Sequence, residues 1–263
     1  MREVFPEIRR QETLDLLKQA GQVSVTDLSR KYGVSDVTIR SDLQTLAERN
    51  LIIRTHGGAI PAEAVPEISL NLRRTQMTAE KEHIGFLAAH LIKDGEAVFL
   101  DTSSTALALV QHLKKRRELT IITNSLAVAQ LGGEHYGISI VLTGGIYQRD
   151  TDSLIGLNGL EMLRQFHIQK GFFGAHGLSD PEGLTDVSHT EAEIKREVVK
   201  MCRQVIAIMD SSKWGRVGFS SFAHLKDIHT IVTDGRPPQK WVDKLTALEI
   251  KLITNSKHPN SED

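Results

Sequence analysis

In the second half of the chain, polar and charged residues collect at the ends of short apolar runs. AVFLD closes on Asp101 and leads into Thr102-Ser103-Ser104-Thr105. LTIIT leads to Asn124 and Ser125, and ISIVLT to Thr143-Gly144-Gly145 with Arg149 and Asp150 close behind. KGFFGAHGL carries Gly174, His176 and Gly177, and QVIAIMD ends in Asp210-Ser211-Ser212-Lys213. Glu191 and Lys195 stand four apart in a stretch of helical character. Hydroxyls and free backbone N–H groups at the start of a helix make an anion site. Each group also has an ordinary reading. The hydroxyl run can be a plain cap, and the glycines can be turns. Lys213 can be a solvated loop lysine and His176 a satisfied loop histidine. Glu191 and Lys195 can be an exposed pair worth a few tenths of a kcal/mol. Taken together, several loops converging on one edge favour a small, phosphorylated, hydroxyl-rich ligand.

A second constellation lies in residues 24–60. Ile39, Leu43 and Leu46 recur at i, i+4, i+7, the stripe of a helix that buries one side. At about 100° per residue, Val37, Thr38, Ser41 and Gln44 face away from that stripe, with Arg40 at the flank. Small polar and methyl-bearing side chains suit a DNA major groove. Thr and Val can touch a thymine methyl, and Arg can take guanine or phosphate. Arg54, His56 and Gly57 would follow on a hairpin beside a phosphate backbone or a minor groove.

The elements that must hold these residues are readable from local signals. Ser24 is an N-cap with Asp27 at the capping-box position. Val25, Leu28 and Tyr32 form an apolar face, and Gly33 stops the helix in the left-handed conformation. Ser35 caps the next helix and is expected among its DNA-contacting residues. Strand-like residues 51–54 then lead to Gly57-Gly58, which supplies the positive φ of a hairpin tip. Two short helices, a tight turn, a longer helix and a hairpin in this order predict a winged helix-turn-helix. A helical hairpin that serves packing alone has the same outline. Ahead of it, Ile8, Leu14 and Leu17 predict an amphipathic helix ending at Gly21. Arg9 and Arg10 near its start read as phosphate contacts or as a solvated face. From residue 97, apolar strands alternate with helices, which predicts a parallel sheet covered on both faces. Ligands of such sheets bind beyond the carboxyl ends of the strands.

The run SDVTIRSDL, followed by L-x-x-R-x-H-G-G-A, resembles the N-terminal signature of the DeoR-type (DeoR/GlpR) bacterial transcriptional regulators. Ser41 departs from it, standing where the family usually carries Arg or Lys. The strand-end groups from Asp101 to Asp210-Ser-Ser-Lys213, with Glu191 and Lys195 between them, look like the family's sensor-domain motifs. Ser103 takes the place of a frequent Gly. The resemblance spans nearly the whole chain apart from the tail after Thr254. It implies a sensor domain similar in fold to ribose-5-phosphate isomerase that binds phosphorylated sugars, and it implies dimers or tetramers.

Composition sets the outer bounds. The chain has 263 residues, 40% hydrophobic and 25% charged, with a formal net charge of −1. Near-neutrality argues against a non-specific nucleic-acid coat and leaves room for a local basic patch. Cys202 is the single cysteine, so neither a disulfide framework nor a cysteine-based zinc site is expected. The N-terminal residues have no apolar stretch of the secretory kind, and no apolar run approaches roughly 18 residues. A cytoplasmic setting is expected. No metal site and no cofactor are expected, and the lack of G-x-G-x-x-G, Walker A, H-E-x-x-H and G-x-S-x-G patterns speaks against an enzyme.

The fold class expected is α/β: an N-terminal winged helix-turn-helix over 1–60, a Pro-containing linker over 61–80, a parallel-sheet sensor domain over 81–254 and a polar tail over 255–263. The function expected is a repressor of a carbohydrate-utilisation operon, binding double-stranded operator DNA under control of a phosphorylated sugar. One rival is a sugar-phosphate isomerase with a DNA-binding appendage, in which Glu191 or Asp210 would be the base. Another is an architectural DNA-binding protein with an inert second domain, against which the polar strand ends speak.

Overall fold

The computed structural model describes residues 5–48, 52–55, 57–61, 70–156 and 158–254. The chain divides into two compact units, Met1–Pro66 and Glu67–Asp263.

In the first unit, α1 (Pro6–Ala20) begins with proline, whose missing N–H is unneeded there. It stops at Gly21, φ 74°, whose amide closes on the Leu17 carbonyl. The predicted amphipathic face is only partly right. Leu17 is buried but Ile8 is exposed, and Arg9 and Thr13 take the inner face instead. β1 (Val23–Ser24) precedes α2 (Val25–Tyr32), α3 (Asp36–Glu48), β2 (Ile52–Thr55) and β3 (Gly58–Pro61). The Ser24 hydroxyl accepts the Asp27 amide, and Gly33 ends α2 at φ 64°. Leu17, Val25, Leu28, Ile39, Leu43, Leu46, Ile52 and Ala59 form one core.

Two details of the hairpin differ from expectation. β1 adds a third strand beside β3, with Val23 opposite Ala59 and Ser24 opposite Gly58. Gly58 is not at positive φ. A side chain is excluded there because a Cβ would lie 1.8 Å from the Val23 carbonyl oxygen. The glycine serves close strand approach, not the turn.

The second unit opens with α4 (Leu70–Thr75) and α5 (Thr78–Ala89), which lie in and across the stretch expected as linker. There follow β4 (Ala97–Leu100), α6 (Ser104–Val110), β5 (Leu119–Thr123), α7 (Leu126–Gly133), β6 (Ile138–Leu142), β7 (Ile146–Gln148), β8 (Ser153–Ile155), α8 (Asn158–Leu163) and β9 (Ile168–Phe173). β10 (Gly177–Ser179), β11 (Gly183–Asp186), α9 (His189–Met201), β12 (Cys202–Ile208), β13 (Ser220–Ala223), β14 (Thr230–Val232), α10 (Gln239–Ala247) and β15 (Lys251–Ile253) complete it.

The main sheet has the order β15-β14-β12-β9-β4-β5-β6. Every pairing in it is parallel. Successive residues of a strand point to opposite faces, and both faces are apolar. Val98, Leu100, Ile206 and Ile208 pack toward α5, α6 and α7. Phe99, Val205 and Ala207 pack toward α8, α9 and α10. Two additions were not expected. β7 and β8 form an antiparallel hairpin, and β10, β11 and β13 form a small antiparallel sheet. Among the described residues, no helix is long and apolar enough to cross a membrane.

Candidate functional site

In the first unit, α3 is the candidate surface. Its stripe is buried as expected, with Ile39, Leu43 and Leu46 at 2% exposure or less. Val37 is 76% exposed. Ser35, Arg40, Ser41 and Gln44 are exposed as well, while Thr38 is half-buried. The Ser35 hydroxyl accepts the Thr38 amide at 3.2 Å and pairs with the Thr38 hydroxyl at 2.9 Å. Both are therefore occupied in capping. On β2 the exposed Arg54 donates through Nη1 to the Gln44 amide oxygen, tying hairpin to helix. Gly57 is exposed, and its carbonyl accepts the Val25 amide at 2.7 Å. His56 lies outside the described residues.

Asp42 was missed by the sequence reading. It is 4% exposed, and its two carboxylate oxygens take Nε of Arg9 at 2.6 Å and Nε of Arg10 at 2.8 Å. The expectation that both arginines face phosphate or solvent is corrected. Arg9 is buried, and both arginines clamp α1 to α3. The signal was available: a carboxylate beside Leu43 in an apolar stripe demands a cation from elsewhere.

In the second unit, the carboxyl ends of β4 and β9 meet α9. Asp101, 1% exposed, accepts the Ser103 amide at 3.0 Å and the Gly174 amide at 2.9 Å. It also pairs with Lys195 Nζ at 2.8 Å. Lys195 donates to Asp186 Oδ2 at 2.7 Å and to the Gly174 carbonyl at 3.0 Å. Thr102 donates to Glu191 Oε1 at 2.9 Å, and Ser153 reaches the same oxygen at 3.5 Å. Glu191 and Lys195 are therefore not an exposed i,i+4 pair; they are 2% and 4% exposed and face different partners.

The electrostatics follow from burial and pairing. Burial disfavours the Lys195 ammonium, but Asp101, Asp186 and Glu191 outweigh it and hold its pKa above the usual lysine value. Burial works to raise Asp186, yet Lys195 pulls that carboxyl below the ordinary range. Glu191 is raised by burial and by Asp186, with Lys195 opposing. His176 is lowered by burial and by the Lys213 charge, which favours neutral imidazole.

Of the other expected residues, Ser103 caps α6 by accepting the Ala106 amide, and Ser104 and Thr105 are buried in its first turn. Asn124 is buried and donates to the Leu154 carbonyl, joining β5 to the β7–β8 hairpin. Gly174 abuts the hydroxyl run so closely that a Cβ would lie 2.4 Å from Ser103 Cβ. Lys213 is half-buried, with Nζ 3.8 Å from Asp210 Oδ2. The remaining residues have local explanations. A Cβ on Gly145, at φ 144°, would strike the Ile155 carbonyl, and one on Gly177 the Arg216 carbonyl. Gly144 is exposed, and Arg149 is exposed on the β7–β8 turn.

The sequence reading did not single out Asp186, Thr102, Ser153 or Lys81 for this site. Thr102 and Ser153 find Glu191 across 89 and 38 residues, whereas Asp186 and Lys81 bond within nine residues of themselves, where spacing alone does not tell a buried pair from a surface one. The assembled network of buried acids, one lysine and several hydroxyls at a sheet edge can hold a small polar ligand by hydrogen bonds and charge. Among the described residues there is no cluster of three or more metal-ligating side chains.

Comparison with known proteins covers both units. Residues 9–64 match the DeoR-like helix-turn-helix domain, and residues 76–235 match the DeoR C terminal sensor domain. The chain is 35% identical over 255 residues to the HTH-type transcriptional repressor GlcR of Bacillus subtilis (strain 168), covering 97% of this chain and 98% of that one. It is 33% identical over 248 residues to the glycerol-3-phosphate regulon repressor of Escherichia coli (strain K12), covering 93% and 97%. Among solved structures, ribose 5-phosphate isomerase A from Methanocaldococcus jannaschii aligns with a TM-score of 0.39 at 20% identity, covering 51% of this chain and 53% of that one.

Proposed function

The chain belongs to the DeoR family of DNA-binding transcriptional regulators, and from that premise we propose that it is a repressor of a carbohydrate-utilisation operon, released from or held on its operator by a phosphorylated sugar. Two relatives are named repressors, one of them of the glycerol-3-phosphate regulon. The reading assigns α3 to the major groove, with Val37, Arg40, Ser41 and Gln44 toward bases and phosphates, and Thr38 through its methyl. Arg54 and Gly57 are assigned to the DNA backbone, as is His56, which lies outside the described residues. A two-fold operator calls for at least a dimer, so a dimer or tetramer acting on DNA in the cytoplasm is the working form.

The observation that carries the sensor half is the buried cluster at the ends of β4 and β9. Asp101 and Lys195 hold the Gly174 turn, and the Asp101–Thr105 loop is held by Ser103 and Thr102. Rigid loops of this kind preorganise donors for sugar hydroxyls and a phosphoryl group.

The test is fluorescence anisotropy of the protein with DNA from upstream of its own gene, at physiological salt, with and without a panel of sugar phosphates. Specific binding that one compound changes by tenfold or more is expected. Binding no tighter than to random DNA would remove the regulator reading. Turnover of any compound on the panel would bring back the isomerase alternative.

A further inference from the structure

Helix α4 carries an arginine whose guanidinium is only partly paired among the described residues. Among the described residues, Nε and Nη2 of Arg73 are shielded from water and have no hydrogen-bond partner. No carboxylate among those residues pairs with this side chain. These two nitrogens form one edge of the guanidinium, the fork that grips two oxygens of a phosphate side-on. Donors taken from water and left unpaired are costly, so an anion at this edge would satisfy a standing deficit.

Arg73 stands near enough to the buried cluster for its charge to act on it. Its charge bears on Asp186, Glu191 and His176, and on Lys81. α4 packs against α6, the helix that follows the Asp101–Thr105 loop. Two further contacts fix its ends. The Leu70 amide donates to the Asp150 carbonyl at 2.8 Å, on the turn of the β7–β8 hairpin. The buried Lys81 ammonium donates to the Arg73 and Gln76 carbonyls, both at 2.6 Å.

We propose that Arg73 is a ligand-binding residue of the sensor site, closing over the phosphoryl group of the effector with Nε and Nη2, and that occupancy of the site thereby sets how firmly α4 is docked. The proposal rests on the reading of the second unit as a phosphorylated-sugar sensor. α4 is the first helix of that unit, beginning at Leu70 after β3 has ended at Pro61. Ligand binding would thus be felt where the chain arrives from the DNA-binding unit. A device of this kind gives coupling its physical content, because the ligand stabilises one of two states of a defined element.

The experiment uses the full-length protein and inorganic phosphate as the probe, with ionic strength held constant by chloride. Affinity is followed by the fluorescence of the packed tryptophans Trp214 and Trp241, the first of them next to Lys213, and α4 docking by hydrogen exchange over residues 70–81. Wild type should bind phosphate with several-fold slower exchange in that segment. Arg73→Ala should weaken binding about tenfold or more and abolish the protection, and Arg73→Lys should recover only part of both. Arg74→Ala, exposed on the same helix, should behave as wild type. If wild type binds phosphate and Arg73→Ala binds it equally well, the role of Arg73 is overturned and the sensor reading stands. If wild type shows neither binding nor protection, the sensor reading falls and the role of Arg73 with it. If acetate binds as tightly as phosphate and depends equally on Arg73, the assignment to a phosphoryl group is overturned.

Discussion

Lys195 is the residue on which the buried cluster turns, because one ammonium pairs with two buried carboxylates. Replacing it by Met leaves Asp101 and Asp186 facing each other without a cation. A loss of about 3–5 kcal/mol at neutral pH is expected, read by urea unfolding. The pH dependence has a definite sign. In the wild type the Asp186 pKa lies below its ordinary 3.8, so the stability it contributes is present above that value and lost as pH falls below it. In Lys195→Met the charge that holds the Asp186 carboxyl low is gone, so the gap between variant and wild type should narrow as pH falls. A gap that widens would contradict the pairing. Gly174→Ala tests the neighbouring loop. Its Cβ would collide with Ser103, so a cost of about 1–3 kcal/mol is expected, together with loss of the sugar-phosphate response at temperatures where the variant remains folded. At this scale the sequence was partly legible. Residue types at strand ends announced a polar site, but Glu191 and Lys195 looked like a surface pair because spacing carries no information on burial.

At the scale of elements, α3 has two charged residues two positions apart with opposite duties. Arg40 is exposed, while Asp42 is buried under α1. Asp42→Ala removes the buried carboxylate that pairs with Arg9 and Arg10 and should destabilise the first unit by about 3–5 kcal/mol, with helix loss in far-UV circular dichroism. Arg40→Ala should change stability by no more than about 0.5 kcal/mol and weaken operator binding by about 1–3 kcal/mol. Equal effects of the two changes on folding would sink this division of labour. Caps and stops were the most legible features: Ser24, Gly33 and Ser35 act where their chemistry put them. They are local, made within three or four residues. β1 was not legible, since a two-residue strand has no periodicity and exists only because β3 lies beside it.

At the scale of the whole molecule, each unit has its own core, and both tryptophans, Trp214 and Trp241, are in the second unit. Leu43→Ala should cost about 2–5 kcal/mol in the first unit alone. Circular dichroism should show early loss of helix while the tryptophan unfolding midpoint stays at its wild-type value; a matching shift in both signals would show that the units unfold together. By itself the sequence determined the helix-turn-helix, the alternation of apolar strands and helices that builds the main parallel sheet, and the chemistry gathered at the strand ends. Those properties follow from caps, glycines and apolar spacing within a few residues. Tertiary structure alone decided which charges meet. Arg9 finds Asp42 across 33 residues, and Thr102 finds Glu191 across 89. It also decided that Lys81 holds the Arg73 and Gln76 carbonyls and that Gly58 is bare for strand contact. The physical reason is that burial and ion pairing depend on what packs against a residue, and that neighbour is set by the path of the chain, not by the residues on either side.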